Sequence, residues 1–98
     1  MISVALPAHL RTLAHVNANV EIEIKGAPTI GALLDAVEQK CPMLCGTIRD
    51  YNTKKRRAFL RYYACGQDLS LEPPETHLPK AVILGKEPFL IIGSIAGG

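Results

Sequence analysis

Close to its C-terminus the chain reads Phe89-Leu90-Ile91-Ile92, apolar at every position, directly after Pro88 and directly before Gly93-Ser94-Ile95-Ala96-Gly97-Gly98. Pro88 can only begin a strand or lie at an edge. Four apolar residues without alternation are the pattern of an interior strand covered on both faces. Placing such a strand at the end of a chain is a strong constraint, because terminal segments are more often loosely held. The residues before it must leave a slot for it inside a sheet.

The upstream sequence supplies candidates for that sheet. Ile2, Val4 and Leu6 alternate with Ser3 and Ala5 until Pro7 and Ala8-His9 break the pattern. Val20-Glu21-Ile22-Glu23-Ile24-Lys25 alternates strictly, so its branched residues face a core and its charges face water. Between these strands, Arg11 to Asn19 is read as the long loop of an antiparallel hairpin. After Gly26-Ala27-Pro28 the period changes. Thr29 is a suitable N-cap, and Ile30, Leu33, Leu34, Val37 and Cys41 recur at helical spacing until Pro42 stops the helix.

Met43, Leu44 and Ile48 are expected to plug the bottom of the core, and Asp50 to Arg57 to form a solvated loop. Ala58 to Ala64 reads as a strand. Cys65-Gly66-Gln67-Asp68 reads as a turn into a short return strand near Leu69-Ser70-Leu71. Ala81-Val82-Ile83-Leu84 is a short apolar stretch before the last strand. Two strands, a helix and two or three more strands bury their faces most simply as one helix across a small mixed sheet. The expected class is α+β, a β-grasp or ubiquitin-like fold. It has a mixed four- to five-stranded sheet on one main helix, a single domain over residues 1–98, and a flexible Gly-Gly tail over 93–98.

Charge narrows the functional classes. The net charge is only +2, but Arg49, Lys54, Lys55, Arg56, Arg57 and Arg61 stand against Asp50 alone within residues 49–61. One segment therefore holds the whole positive excess. With 98 residues there is room for one core, and the longest apolar runs are far short of the roughly 20 residues of a membrane span. The N-terminus lacks a basic region followed by a long apolar one, and three Cys make an odd count without framework spacing. These features lead to the expectation of a cytoplasmic protein with no membrane partner.

The opening strand, the helix start Thr29-Ile30-Gly31-Ala32-Leu33-Leu34, the Phe59-to-Gly66 strand and turn, and the closing Ile92-to-Gly98 segment together resemble the ThiS/MoaD family of ubiquitin-like sulfur carriers. In length and layout the chain is nearest the carriers of cysteine biosynthesis, with the small subunit of molybdopterin synthase next. It departs from the common family pattern in having Gly93-Ser94 at the exit of the last strand and Gly85-Lys86-Glu87 at the turn before it. The resemblance implies a protein co-substrate rather than an enzyme. A ubiquitin-activating-like adenylyltransferase and sulfurtransferase would use ATP to adenylate the Gly98 carboxylate. Sulfur would replace AMP, and a sulfur-accepting synthase would consume the thiocarboxylate in cysteine, molybdopterin or thiamine biosynthesis. Gly98 is then the reacting residue, with Gly97 and Ala96 threading a narrow channel, where the missing side chain of Gly97 lets the backbone pass.

Further residues follow from alternation. If Leu60, Tyr62 and Ala64 meet the helix, Phe59, Arg61 and Tyr63 lie on the other face, and Phe89 and Ile91 join them if Leu90 and Ile92 point inward. That gives an apolar partner-binding patch. Lys54, Lys55, Arg56 and Arg57 form a basic loop that is either simply solvated or docks on an acidic enzyme surface; RNA is the weakest reading, with no recognised motif around it. His9, His15 and His77 show no ligand spacing with Cys41, Cys45 or Cys65, so no metal site is expected and the thiols are read as buried or idle. No phosphate-cradling glycine loop is present, so no bound cofactor is expected and ATP is left to the activating enzyme. The alternatives are a ubiquitin-like modifier making isopeptide bonds through Gly98, and a β-grasp module binding RNA or protein through the basic loop.

Overall fold

A computed structural model describes residues 1–93; Ala96, Gly97 and Gly98, and most of the expected tail, lie outside the described residues. Five strands form one sheet: β1 (Ile2–Ala5), β2 (Val20–Ile22), β3 (Leu60–Ala64), β4 (Gln67–Asp68) and β5 (Phe89–Gly93). Their spatial order is β2-β1-β5-β3-β4. The last strand therefore lies at the centre, parallel to β1 and antiparallel to β3. A parallel neighbour cannot be joined by a hairpin and needs a crossover. Here nearly the whole chain between β1 and β5 serves as that crossover.

Helix α2 (Ile30–Lys40) supplies the covering layer. Its start is closed at every donor: Ala32 N–H donates to Thr29 Oγ1 at 3.1 Å, while the Ile30 and Gly31 amides donate to the carbonyls of Thr76 and Pro74, both at 2.9 Å. Its buried residues, Ile30, Leu33, Leu34 and Val37, are those whose spacing marks the helix in the sequence. Glu38 is buried as well and is discussed below. The helix ends before Pro42, which opens a 3₁₀ turn over Pro42–Leu44.

The hairpin loop expected between β1 and β2 is instead a helix, α1 (Ala8–Ala14), although the two strands do pair antiparallel. Pro7 precedes it in extended geometry, and His15 closes it in the left-handed region at φ 57°. The helix folds Leu10 and Ala14 into the core. The short apolar stretch before β5 likewise forms one helical turn, α3 (Lys80–Ile83), which buries Val82. Leu44 and Ile48 plug the core as expected, but Met43 is 44% exposed because the 3₁₀ turn directs it outward. The β3–β4 connection is a two-residue turn, Cys65-Gly66, with both φ positive as primed hairpin turns require. The return strand accordingly starts at Gln67, earlier than the sequence suggests, and Leu69 N–H still reaches Tyr62 O at 2.7 Å.

Candidate functional site

Strand β5 has its inner face against α2 and its outer face open. Phe89 is fully buried and Ile91 is 2% exposed, whereas Leu90 is half-buried and Ile92 is 42% exposed. The coverage on both faces expected from four consecutive apolar residues does not occur. The phase expected for this strand is also inverted: Phe89 and Ile91 are core residues and cannot form a docking patch. The Phe89 ring packs against Tyr62, with centroids 5.6 Å apart. A one-residue change of phase exchanges the two faces of a strand, and an unalternating run gives no phase to read.

The outer patch does form, with other members. Leu90 lies beside Tyr63 of β3 and Ala5 of β1, and Ile92 lies beside Arg61. Phe59, just before β3, is 62% exposed. Phe59, Arg61 and Tyr63 are thus placed on the exposed face, joined by Leu90 and Ile92, which the sequence reading assigned to the interior. Arg61 is held flat on this face by Asp68, with Nη2 and Nε at 2.6 and 3.0 Å from Oδ2. Hydrogen bonds from Ser70, then from Arg61, hold the Asp68 carboxyl well below the usual carboxylate range. The result is an apolar strip with a fixed ion pair at its border.

The strip leads to the end of β5. Gly93 is the partner of Leu60, and a β-carbon at Gly93 would meet His9 Cε1 at 3.6 Å and Pro7 Cβ at 3.7 Å. The loop before β5 is fixed by Gly85, at φ 77°, where a β-carbon would meet the Met1 carbonyl oxygen at 2.7 Å. Only glycine fits there, and β5 is held in line beside β1.

The four residues of the basic loop divide into two pairs. The Arg56 guanidinium donates to the carbonyls of Leu60, Ser70 and Arg57 at 2.6, 3.1 and 3.2 Å. Arg57 donates to Gly46 O at 2.9 Å and lies 3.7 Å from Asp50. Both arginines therefore pin the loop to the body of the protein. Asp50 orders the turn itself by accepting the amides of Thr53 and Asn52 at 2.8 and 2.9 Å, which lowers its pKa. Lys54 and Lys55 are left to face solvent, Lys54 at 5.5 Å over the Tyr51 ring. The loop is built rather than merely solvated.

Beneath it lies a feature the sequence does not reveal. Arg49, 4% exposed, donates through Nε to Glu38 Oε2 at 2.8 Å and also pairs with Asp35. Glu38 is itself 7% exposed. Two positions eleven apart, only one of them on a helix, carry no spacing signal that would link them. Cys41 is buried, while Cys45 and Cys65 are exposed, all with free thiols. Among the described residues, no group of three His, Cys, Asp or Glu side chains is arranged to hold a metal ion, and no helix is long and apolar enough to cross a membrane.

Among solved structures, that of the BexX/CysO complex of Amycolatopsis orientalis aligns at 23% identity over all of both chains, with a TM-score of 0.73. CysO of Mycobacterium tuberculosis aligns at 18% identity over 97% of this chain and 100% of its own, with a TM-score of 0.75. SAMP1 of Haloferax volcanii aligns at 18% identity over 98% of this chain and 97% of its own, with a TM-score of 0.73. The fold is the β-grasp. No family model and no curated protein matches the sequence. The β-grasp shared with these small ubiquitin-like proteins runs from end to end, with central β5 and covering α2 as its defining pair.

Proposed function

We propose that this protein is a ubiquitin-like sulfur carrier whose reacting group is the α-carboxylate of Gly98. An activating enzyme supplies ATP; the carboxylate attacks its α-phosphorus, pyrophosphate leaves, and an acyl-adenylate forms. A hydrosulfide-level nucleophile then displaces AMP, which departs with one of the carboxylate oxygens and leaves a thiocarboxylate. An acceptor enzyme takes that sulfur in making cysteine or a sulfur-containing cofactor such as molybdopterin or thiamine. The protein itself is a co-substrate and carries no nucleotide.

The observation that carries this reading is the central, anchored β5 directed toward a sequence that ends Gly97-Gly98. A rigid strand fixes where the last residues begin, and side-chain-free glycines suit a narrow active-site channel. The strip of Phe59, Tyr63, Leu90 and Ile92 beside the strand is suited to a partner enzyme. The BexX/CysO neighbour, a CysO in complex with another protein, supports a protein partner of this kind.

The test is intact mass spectrometry after incubation with ATP, a sulfur donor and the activating enzyme from the same source. An oxygen-to-sulfur mass increase at Gly98, absent when Gly98 is deleted and with the melting temperature unchanged, is the expected result. Loading that survives the deletion overturns the assignment. The similarity to SAMP1, a small archaeal modifier protein, favours a second reading in which activated Gly98 forms isopeptide bonds with target lysines. Lysine-linked, higher-mass adducts in cells would distinguish it.

A further inference from the structure

The basic loop and the 69–74 turn enclose a cleft of about 480 Å³ on the α2 side of the sheet. This size falls within the range of about 300–1,000 Å³ common to ligand pockets. Ile30 and Leu34 of α2 and Tyr62 of β3 give it an apolar floor. Lys54, Lys55 and Arg56 line it from the loop, and Leu71, Glu72 and Pro74 from the turn. Leu71 is 84% exposed, more than any other large apolar side chain among the described residues.

The charges around the cleft are unequally matched. Arg49 at its back is satisfied by Glu38 and Asp35. Lys54 lies 3.8 Å from Glu38, which Arg49 already occupies. Arg56 is held by backbone carbonyls alone, and Lys55 has no carboxylate within ion-pair distance among the described residues. Cations and exposed apolar surface therefore adjoin one another, with Glu72 as the one acid in the lining.

The same geometry narrows the ligand. The first amides of α2 are bonded to Thr76, Pro74 and Thr29, so the helix offers no free donors to a phosphate. Tyr62 is 5% exposed and presents no ring face for a nucleobase to stack on. What remains is an apolar contact flanked by flexible ammonium groups.

We propose that this cleft binds a short segment of a protein partner in which an apolar side chain is flanked by carboxylates. The apolar side chain sits between Leu71, Pro74 and the floor, and a carboxylate meets Lys55 and Lys54. Because Tyr62 and Tyr63 point to opposite faces of β3, the cleft is separate from the outer strip. A partner held there leaves the outer face and the end of β5 free for a second protein. The proposal does not depend on the chemistry of Gly98.

The test is an amide chemical-shift titration of the full ¹⁵N-labelled chain with a capped Gly-Glu-Leu-Leu-Glu-Gly peptide. Gly-Glu-Ser-Ser-Glu-Gly and inorganic phosphate serve as separate probes. The leucine peptide is expected to shift the amides of Thr53, Lys54, Lys55 and Leu71. Its affinity should fall about tenfold in Lys55→Ala and in Leu71→Ser and be unchanged when Gly98 is deleted. Both substituted positions are exposed, so the variants should melt with the parent protein. An equal response to the serine peptide or to phosphate reduces the cleft to general anion attraction and overturns the proposal. So does an absence of shifts, or a response confined to Tyr63, Leu90 and Ile92.

Discussion

The two faces of β5 have nearly the same composition and opposite destinations. Phe89 and Ile91 lie under α2, while Leu90 and Ile92 lie in the open between Tyr63, Ala5 and Arg61. Hydrophobicity alone therefore does not say what a residue is for; the covering layer decides. The inner pair stabilises the fold, and the outer pair is surplus to it, the mark of a surface kept for another molecule.

The sharpest way to break that comparison is to truncate the inner face. Phe89→Ala removes a fully buried ring at the crossing of sheet and helix, and should cost about 3–5 kcal/mol in denaturant unfolding. Next is the ionic anchor beneath the basic loop. Glu38→Ala strands the Arg49 guanidinium in a buried site and should cost about 3 kcal/mol, with Asp35 too exposed to compensate fully. A smaller loss than that of an ordinary surface pair would show that Arg49 escapes to water.

A milder probe of the inner face is pH. Burial pushes the Tyr62 phenol up to about 12, above its ordinary value near 10. The unfolded chain therefore loses this proton first as pH rises, and Tyr62 contributes stability below about pH 10 that is lost through about pH 12. Unfolding midpoints of Tyr62→Phe should fall less steeply across that window than those of the parent protein. Parallel curves would mean that Tyr62 remains wet. The smallest expected effect is on the outer face: Ile92→Ser should change stability by less than about 0.5 kcal/mol while weakening capture by the activating enzyme. A large stability loss at Ile92 would remove the distinction between the faces.

The sequence is most informative where a pattern is long and one-sided. The spacing of Ile30, Leu33, Leu34 and Val37, with Thr29 before and Pro42 after, contains its own start, face and stop. α1 is hidden because it has seven residues, no side-chain cap and only Leu10 and Ala14 facing inward. The centrality of β5 can be read from its apolar run, but not its phase, which depends on a pairing with Leu60 some thirty residues away. The basic cluster is visible as charge. The division between anchoring Arg56 and Arg57 and outward Lys54 and Lys55 is not, because it rests on carbonyls of Leu60, Ser70 and Gly46 that only the folded chain brings near. Gly98 stands apart, named by sequence and lying outside the described residues.

The position of β5 between β1 and β3 has a mechanical consequence. Tension applied beyond Gly93 acts along a strand hydrogen-bonded on both flanks, so the ladders are loaded in shear and must yield together rather than one after another. A partner that draws the end of the chain into a channel is therefore pulling on the most firmly seated strand of the molecule. The grip can be tight without the protein coming apart in the enzyme that holds it.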